Sequence, residues 1–137
     1  MRLLAHRSCT VELTCDLSAP RTARHLVTLL LKHWGVTDAD VLDAATIVVS
    51  ELVTNVLVHC DDGGPLTVVL QLHDEQLRLL VEDRATAVPA QRLAGAEDES
   101  GRGLGIVAQL AAHWRVEPLS DGKRVVVDLP VSPASCA

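Results

Sequence analysis

The chain has 137 residues, of which 48% are hydrophobic, and its 12 Lys and Arg against 18 Asp and Glu give a formal net charge of −6. This length suits one domain with its own core, expected over residues 1–130 before a short tail at 131–137, and it excludes disorder as the main state. Phe and Tyr are absent. Because a basic groove and stacking aromatic side chains are both missing, no direct nucleic-acid binding is expected.

The first predicted strand and helix lie between residues 9 and 35. Apolar and polar residues alternate over residues 9–15, which is typical of a half-buried strand. Ser18 and Pro20 then indicate the start of a helix. Apolar residues recur at helical spacing as far as Trp34, and Gly35 is expected to end the helix.

The second predicted helix opens at Thr37 and Asp40, which resemble a capping pair, and runs through about residue 60. Glu51, Asn55 and His59 follow one another at intervals of four, so they form one polar stripe at the edge of an otherwise apolar helix. A carboxylate one turn from a carboxamide is suited to holding a divalent cation or a water and to removing a proton. The alternatives are a solvated helix side and, for His59, a helix end favoured by the dipole.

A hairpin is predicted after this helix. Residues 61–65 are a turn cluster, and residues 66–72 and 77–83 alternate as strands on either side of the polar corner 73–76. Asp83 ends the second strand with the same parity as three aliphatic residues, Leu77, Leu79 and Val81. We therefore expect its carboxylate to point into the mouth of a pocket, where it either accepts a hydrogen bond from a ligand amine or caps the following turn.

A glycine-rich segment precedes the last predicted helix. Residues 84–100 show little periodicity and are predicted mainly as a surface loop. Three alternating glycines then lead into a helix whose apolar face is made by Ile106, Val107, Leu110 and Trp114. Successive N–H groups at such a turn hold anions, and phosphate is the natural guest. The pattern excludes a Walker loop and disfavours a Rossmann fingerprint, and a glycine-rich turn without a ligand is the alternative.

Two closing strands are predicted at residues 115–117 and 123–129, joined by a turn at 120–122. The order of strand, two helices, hairpin, loop, helix and hairpin predicts an α+β fold. We expect a two-layer sandwich with helices packed on one face of a mixed, mostly antiparallel sheet.

The cysteines and the apolar runs bear on the compartment. No C-x-x-C pair or zinc-finger histidine spacing accompanies the cysteines, so structural zinc is not expected. The chain start has no stretch long enough for a signal peptide, and charges are expected to interrupt every apolar run short of a membrane span. We therefore expect a cytoplasmic protein with reduced thiols and no membrane partner.

Three segments together resemble a known family. ELVTNVLVH is similar to the N box, LLVEDRATAVP to the first glycine box and GRGLGIVAQL to the second glycine box of the GHKL ATP-binding superfamily, which has the Bergerat fold. The resemblance spans about residues 13–129 and predicts a single GHKL-type domain. With SAPRTARHLVTLLLKHWG before the N box and a GK-x-V strand after the second glycine box, the chain most resembles bacterial anti-sigma factor serine kinases.

The resemblance implies ATP and Mg²⁺ as cofactors and assigns roles to residues. Asn55 would coordinate Mg²⁺ bound to the ATP phosphates, Glu51 would take a proton from an attacking serine hydroxyl or water, and Asp83 would accept from the exocyclic amine of adenine. Residues 88–100 would correspond to the ATP lid. The phosphates would be surrounded by the second glycine box, namely Gly101, Arg102, Gly103, Leu104 and Gly105.

Two functions follow from this resemblance. The first is an ATP-dependent protein-serine kinase that binds a sigma factor or an anti-sigma factor antagonist in a partner switch, and relatives of this type often form homodimers. The second is a binding module of the same fold that sequesters a partner. Intact Glu51 and Asn55 favour the first. Ala85 and Ala87 replace both glycines of the usual Asp-x-Gly-x-Gly box, and this bears against ATP affinity and favours the second. A metal or redox protein that uses the cysteines is a remote third class.

Overall fold

A computed structural model describes residues 6–59, 64–84 and 101–131 of the chain. The elements within these ranges follow the predicted order. They are β1 (Arg7–Thr14), α1 (Ala19–His33), α2 (Ala39–His59), β2 (Pro65–His73), β3 (Gln76–Asp83), α3 (Gly101–Leu110), β4 (His113–Leu119) and β5 (Gly122–Pro130).

The five strands form one sheet in the order β1-β2-β3-β5-β4, and each of its four pairings is antiparallel. The predicted α+β sandwich is confirmed, although the described strands contain no parallel pair, which a mixed sheet would require. Because β5 rather than β4 lies next to β3, the end of β3 meets the start of β5. This junction positions part of the site described below.

The core lies between the sheet and α2, which packs against β3, β5, α1 and α3. Alternate residues of the inner strands face it, as a period of two requires. Burying each aliphatic side chain contributes roughly 1.5–3 kcal/mol, so this layer is the main source of stability. Its largest fully buried side chains include Leu52, Leu66, Leu70, Leu77, Leu79 and Leu129.

The starts of the first two helices differ from the predicted caps. Ser18 precedes α1, but its hydroxyl donates to Asp16 Oδ1 over 2.5 Å, and no side chain caps the helix. This hydrogen bond, together with the one that the backbone N–H of Ser18 donates to the same oxygen, lowers the pKa of Asp16. At α2, Asp38 is the capping residue in place of Thr37, since its Oδ1 accepts from the backbone N–H of Asp40 over 2.9 Å.

The ends of two helices also bear on the predictions. Gly35 follows α1 with a φ of 91°, a conformation that suits glycine, so the predicted stop is confirmed. Trp114 was expected on the last helix, but α3 ends at Leu110 and Trp114 lies in β4 opposite Val127. Trp114 is four residues after Leu110, which fits one face of a helix, and it is also partly buried against the core. The apolar pattern alone therefore could not distinguish a longer helix from a strand at this position.

The second helix is more apolar than the sequence reading allowed. The segment Ala39–Val58 has the length and composition of a membrane span, with a mean hydropathy of 1.8, so the expectation that charges interrupt every such run is wrong here. In the fold, one side of this helix is buried against the sheet and its flanks contact α1 and α3. Burial accounts for the apolar residues on that side, whereas Ile47 and Val58 are exposed.

Gly122 is required by a close backbone approach at the start of β5. A Cβ at this position would clash with the carbonyl oxygen of Asp83 and lie 2.9 Å from the Cα of Arg84. We expect Gly122→Ala to lower the free energy of unfolding by about 1–3 kcal/mol in urea denaturation, because the two strands must move apart. Gly105→Ala is the control, since a Cβ there meets no described atom within 4 Å. Within a helix it should raise stability by roughly 0.5–1 kcal/mol, and equal effects of the two changes would contradict this account.

The sheet face away from the helices carries ion pairs. Glu117 Oε2 lies 2.7 Å from Arg115 Nε, and Glu117 Oε1 lies 3.2 Å from Arg124 Nη1. These hydrogen bonds, with Arg115 contributing most, lower the pKa of Glu117 below its ordinary value of 4.5. The stabilisation that Glu117 gains from these ion pairs is therefore complete above about pH 4.5. It is lost as the pH falls through the lower pKa that Glu117 has in the folded state.

We expect Glu117→Gln to be less stable than the parent at pH 7, and we expect this difference to shrink as the pH is lowered below 4.5. Urea denaturation at pH 7, 5, 4 and 3 measures it. Glu12→Gln, at an exposed position of β1, controls for the loss of one negative charge. A difference between Glu117→Gln and the parent that stays constant down to pH 3 would contradict the ion-pair explanation.

Candidate functional site

The predicted polar stripe lies on the margin of α2. Glu51 and Asn55 are half-buried, next to the buried Leu52 and Val56 that face the core. This is the edge position that the sequence predicts, because residues four apart share one side of a helix. His59 is the last residue of α2, and its side chain lies outside what the structure describes.

Asp83 lies at the end of β3 with its side chain on the core face, where the residue is only 3% exposed. The alternation of the strand predicts this burial. The structure adds a partner that the sequence analysis did not identify, because Lys123 Nζ lies 2.9 Å from Asp83 Oδ2. Lys123 itself is 8% exposed. The two form a buried ion pair.

The register of the sheet brings this pair together. Asp83 and Lys123 are direct partners across β3 and β5, and the adjacent Gly122 allows the two backbones to approach closely. A buried charge is costly unless an opposite charge and hydrogen bonds compensate it. The carboxylate and the ammonium group meet this requirement for each other at the point where both strands end.

The second glycine box forms the start of α3. The sequence predicts a loop that leads into a helix, but the helix already begins at Gly101, so all five residues of the predicted cradle, Gly101, Arg102, Gly103, Leu104 and Gly105, are helical. The first N–H groups of a helix have no partner within the helix and carry partial positive charge. The helix N-terminus therefore presents the amides that a preceding loop was expected to supply.

The elements that carry these three parts are in contact, because α2 packs against both β3 and α3. The half-buried acid and amide thus lie on the helix that contacts both the strand ending in the buried carboxylate and the helix that begins with the second glycine box. The first glycine box beyond Arg84, with Ala85, Ala87 and the predicted lid at 88–100, lies outside the described residues.

Possible metal ligands and the cysteines are further chemically reactive side chains of the chain. Within residues 6–59, 64–84 and 101–131, no group of three or more His, Cys, Asp and Glu side chains is placed to hold a metal ion. Among the described residues, Cys9 and Cys15 form no disulfide, and Cys15 is buried in the core. Cys60 and Cys136 lie outside the described residues.

Comparisons with known proteins bear on the domain as a whole. The model of the family described as "Histidine kinase-like ATPase domain" matches residues 13–129. Among solved structures, the RsbU and RsbW domains of Rv1364c from Mycobacterium tuberculosis superpose with a TM-score of 0.68 at 20% sequence identity. That match covers 92% of this chain but 34% of the other, so the chain spans about a third of the matched structure. Comparison with curated protein sequences finds no match.

Proposed function

The chain belongs to the histidine kinase-like ATPase family, and from this premise we propose that it binds ATP and phosphorylates a serine of an anti-sigma factor antagonist. The family match confirms the resemblance to the GHKL superfamily. The matched structure contains an RsbW domain, and this supports the anti-sigma factor kinase type. The partners of the proposed switch are a sigma factor and the antagonist that competes with it.

The observation that carries the proposal is the position of Glu51 and Asn55. Both are half-buried on the margin of the helix that packs against β3, where Asp83 ends the strand, and against α3. A solvated helix side would leave these residues exposed, whereas a margin position shields them and keeps them open to a ligand on one side. This supports the interpretation of the stripe as part of a ligand site over its interpretation as a solvated helix side.

The donor set on α2 fits Mg²⁺ held together with a nucleotide. Mg²⁺ prefers oxygen ligands and usually takes one or two from the protein, with phosphates and waters completing its shell. Asn55 would supply a carboxamide oxygen to the ion, while the carboxylate of Glu51, one turn earlier, remains available to accept a proton. When bound, the ion neutralises charge on the phosphates.

The remaining residues would perform the transfer. Glu51 accepts the proton of the serine hydroxyl as its oxygen bonds to the γ-phosphorus, and the bond from that phosphorus to the β–γ bridging oxygen breaks to release ADP. Asp83 holds the exocyclic amine of adenine at the other end of the nucleotide. The amides at the start of α3 bind the phosphates, since a helix N-terminus favours anions.

A transfer assay tests this function. The chain is incubated with MgATP labelled at the γ-phosphate and, in turn, with purified anti-sigma factor antagonist proteins, and mass spectrometry locates the label. We expect one serine of one antagonist to be labelled only when the chain is present. Binding of ATP without transfer to any antagonist, together with a partner complex that nucleotide does not change, would contradict the kinase.

ATP binding without transfer is the result expected for the alternative function, a module that sequesters its partner. The observation in its favour is Ala85 and Ala87 at the two glycine positions of the first glycine box. Alanine adopts positive φ poorly and adds a methyl group where backbone approaches a ligand. For either function we propose a cytoplasmic protein, and a homodimer that size-exclusion chromatography with light scattering would detect.

A further inference from the structure

The buried pair of Asp83 and Lys123 bears on which nucleobase the site accepts. This inference rests on the nucleotide-binding function proposed above. A carboxylate alone only accepts hydrogen bonds, so it suits the 6-amino group of adenine and opposes the 6-oxo group of guanine or hypoxanthine. Here the carboxylate has an ammonium group beside it, with Nζ 2.9 Å from Oδ2. A donor and an acceptor thus lie side by side.

An ammonium group and a carboxylate can each form more hydrogen bonds than the one that joins them. An ammonium group has three donors, and a carboxylate has about four acceptor positions. Both side chains lie where their strands terminate, since β3 ends at Asp83 and β5 begins at Gly122. Under the proposed function, the edge of the nucleobase docks onto these strand ends and meets the two groups together.

We propose that Lys123 is a specificity-determining residue that lets this site bind 6-oxopurine nucleotides as well as ATP. With adenine, Asp83 accepts from the 6-amino group and Lys123 donates to the ring nitrogen N1. Hypoxanthine binds with its edge turned over relative to the pair, so that Lys123 donates to the 6-oxo oxygen and Asp83 accepts from N1–H. Each base leaves both buried groups paired, which removes the main physical penalty against the wrong purine.

Calorimetric titration of the full chain with MgATP and with MgITP tests the proposal. ITP carries hypoxanthine, so it presents the 6-oxo edge without the 2-amino group of guanine. We expect the two dissociation constants to agree within about tenfold, the factor that one unpaired hydrogen-bonding group would exceed. ITP binding more than tenfold weaker than ATP binding overturns the proposal. This comparison needs no variant, so it stands whatever a substitution does to folding.

Two variants assign the effect to Lys123. Lys123→Met keeps the length of the side chain and removes the donor, so we expect preference for ATP over ITP to increase at least about tenfold relative to the parent. Lys123→Arg keeps a charged donor and should retain the parent ratio. Circular dichroism establishes that each variant is folded.

A purely structural ion pair predicts a different result. Lys123→Met would then lower the melting temperature and leave the ratio of ATP to ITP affinity unchanged, and this outcome overturns the proposal. Binding of ATP but not of ITP by the parent overturns it while the proposed function stands. If neither nucleotide binds, the proposed function fails and this inference fails with it.

Discussion

Glu51→Gln is expected to slow phosphoryl transfer to the antagonist serine by a factor of about 10²–10⁴, the usual scale for the loss of a general base. Glutamine has nearly the same shape but does not accept the proton, so ATP affinity should change little. Single-turnover transfer and calorimetric binding, measured on the same preparation, separate the two effects.

Asp43→Asn is the matched control for this change, since Asp43 is an exposed acid on the same helix, two turns before Glu51. It removes one negative charge from α2 and should leave both transfer and binding at the parent level. Equal transfer rates for Glu51→Gln and the parent, with a substrate that the parent phosphorylates, would remove Glu51 from the role of base.

Asp83→Leu is expected to lower the free energy of unfolding by about 3–5 kcal/mol, because it leaves the ammonium group of Lys123 buried without its partner. The residues are 3% and 8% exposed, so water compensates little. The double change Asp83→Leu/Lys123→Met replaces the pair by apolar side chains and should recover most of the loss. Urea denaturation of the parent, both single variants and the double variant forms a cycle that isolates the coupling.

The neighbouring pair of Glu82 and Arg124 provides the contrast. Its Oε2 and Nε atoms are 2.7 Å apart, but the side chains are 26% and 34% exposed. Glu82→Gln should therefore cost no more than about 1 kcal/mol. Similar losses for Asp83→Leu and Glu82→Gln, or no recovery in the double variant, would contradict a tightly coupled buried pair.

Much of the fold was predictable because hydrophobic periodicity is a local property of the sequence. The alternation that ends in Asp83 and the four-residue spacing of Glu51 and Asn55 both define which face a side chain occupies. Burial of the first and the margin position of the others agree with those patterns. The helix caps were predicted less well, since Asp38 and Thr37 are adjacent residues that both suit a cap.

The partner of Asp83 was not predictable in the same way. Lys123 shares its parity with Val125, Val127 and Leu129, so the argument that placed Asp83 in the buried row also marks Lys123. The pairing of the two residues was a different matter, because β5 lies next to β3 only through a sheet order that neighbouring residues do not encode.

The start of α3 illustrates a further limit. Three glycines within five residues favour a loop by intrinsic propensity, since glycine in a helix is unfavourable by up to about 1 kcal/mol relative to alanine. In the structure these residues are helical from Gly101 onward. Contact between α3 and α2 supplies tertiary stabilisation that outweighs such a local preference.

Titration of the parent protein with ATP, in Mg²⁺ and in EDTA, tests most directly the claim that this domain is a nucleotide-binding one. We predict measurable heat and a raised melting temperature at millimolar MgATP, because a ligand that binds only the folded state stabilises it. Affinity should fall in EDTA, since the role proposed for Asn55 is to act on the nucleotide through the ion. No heat and no stabilisation at millimolar MgATP would contradict the account.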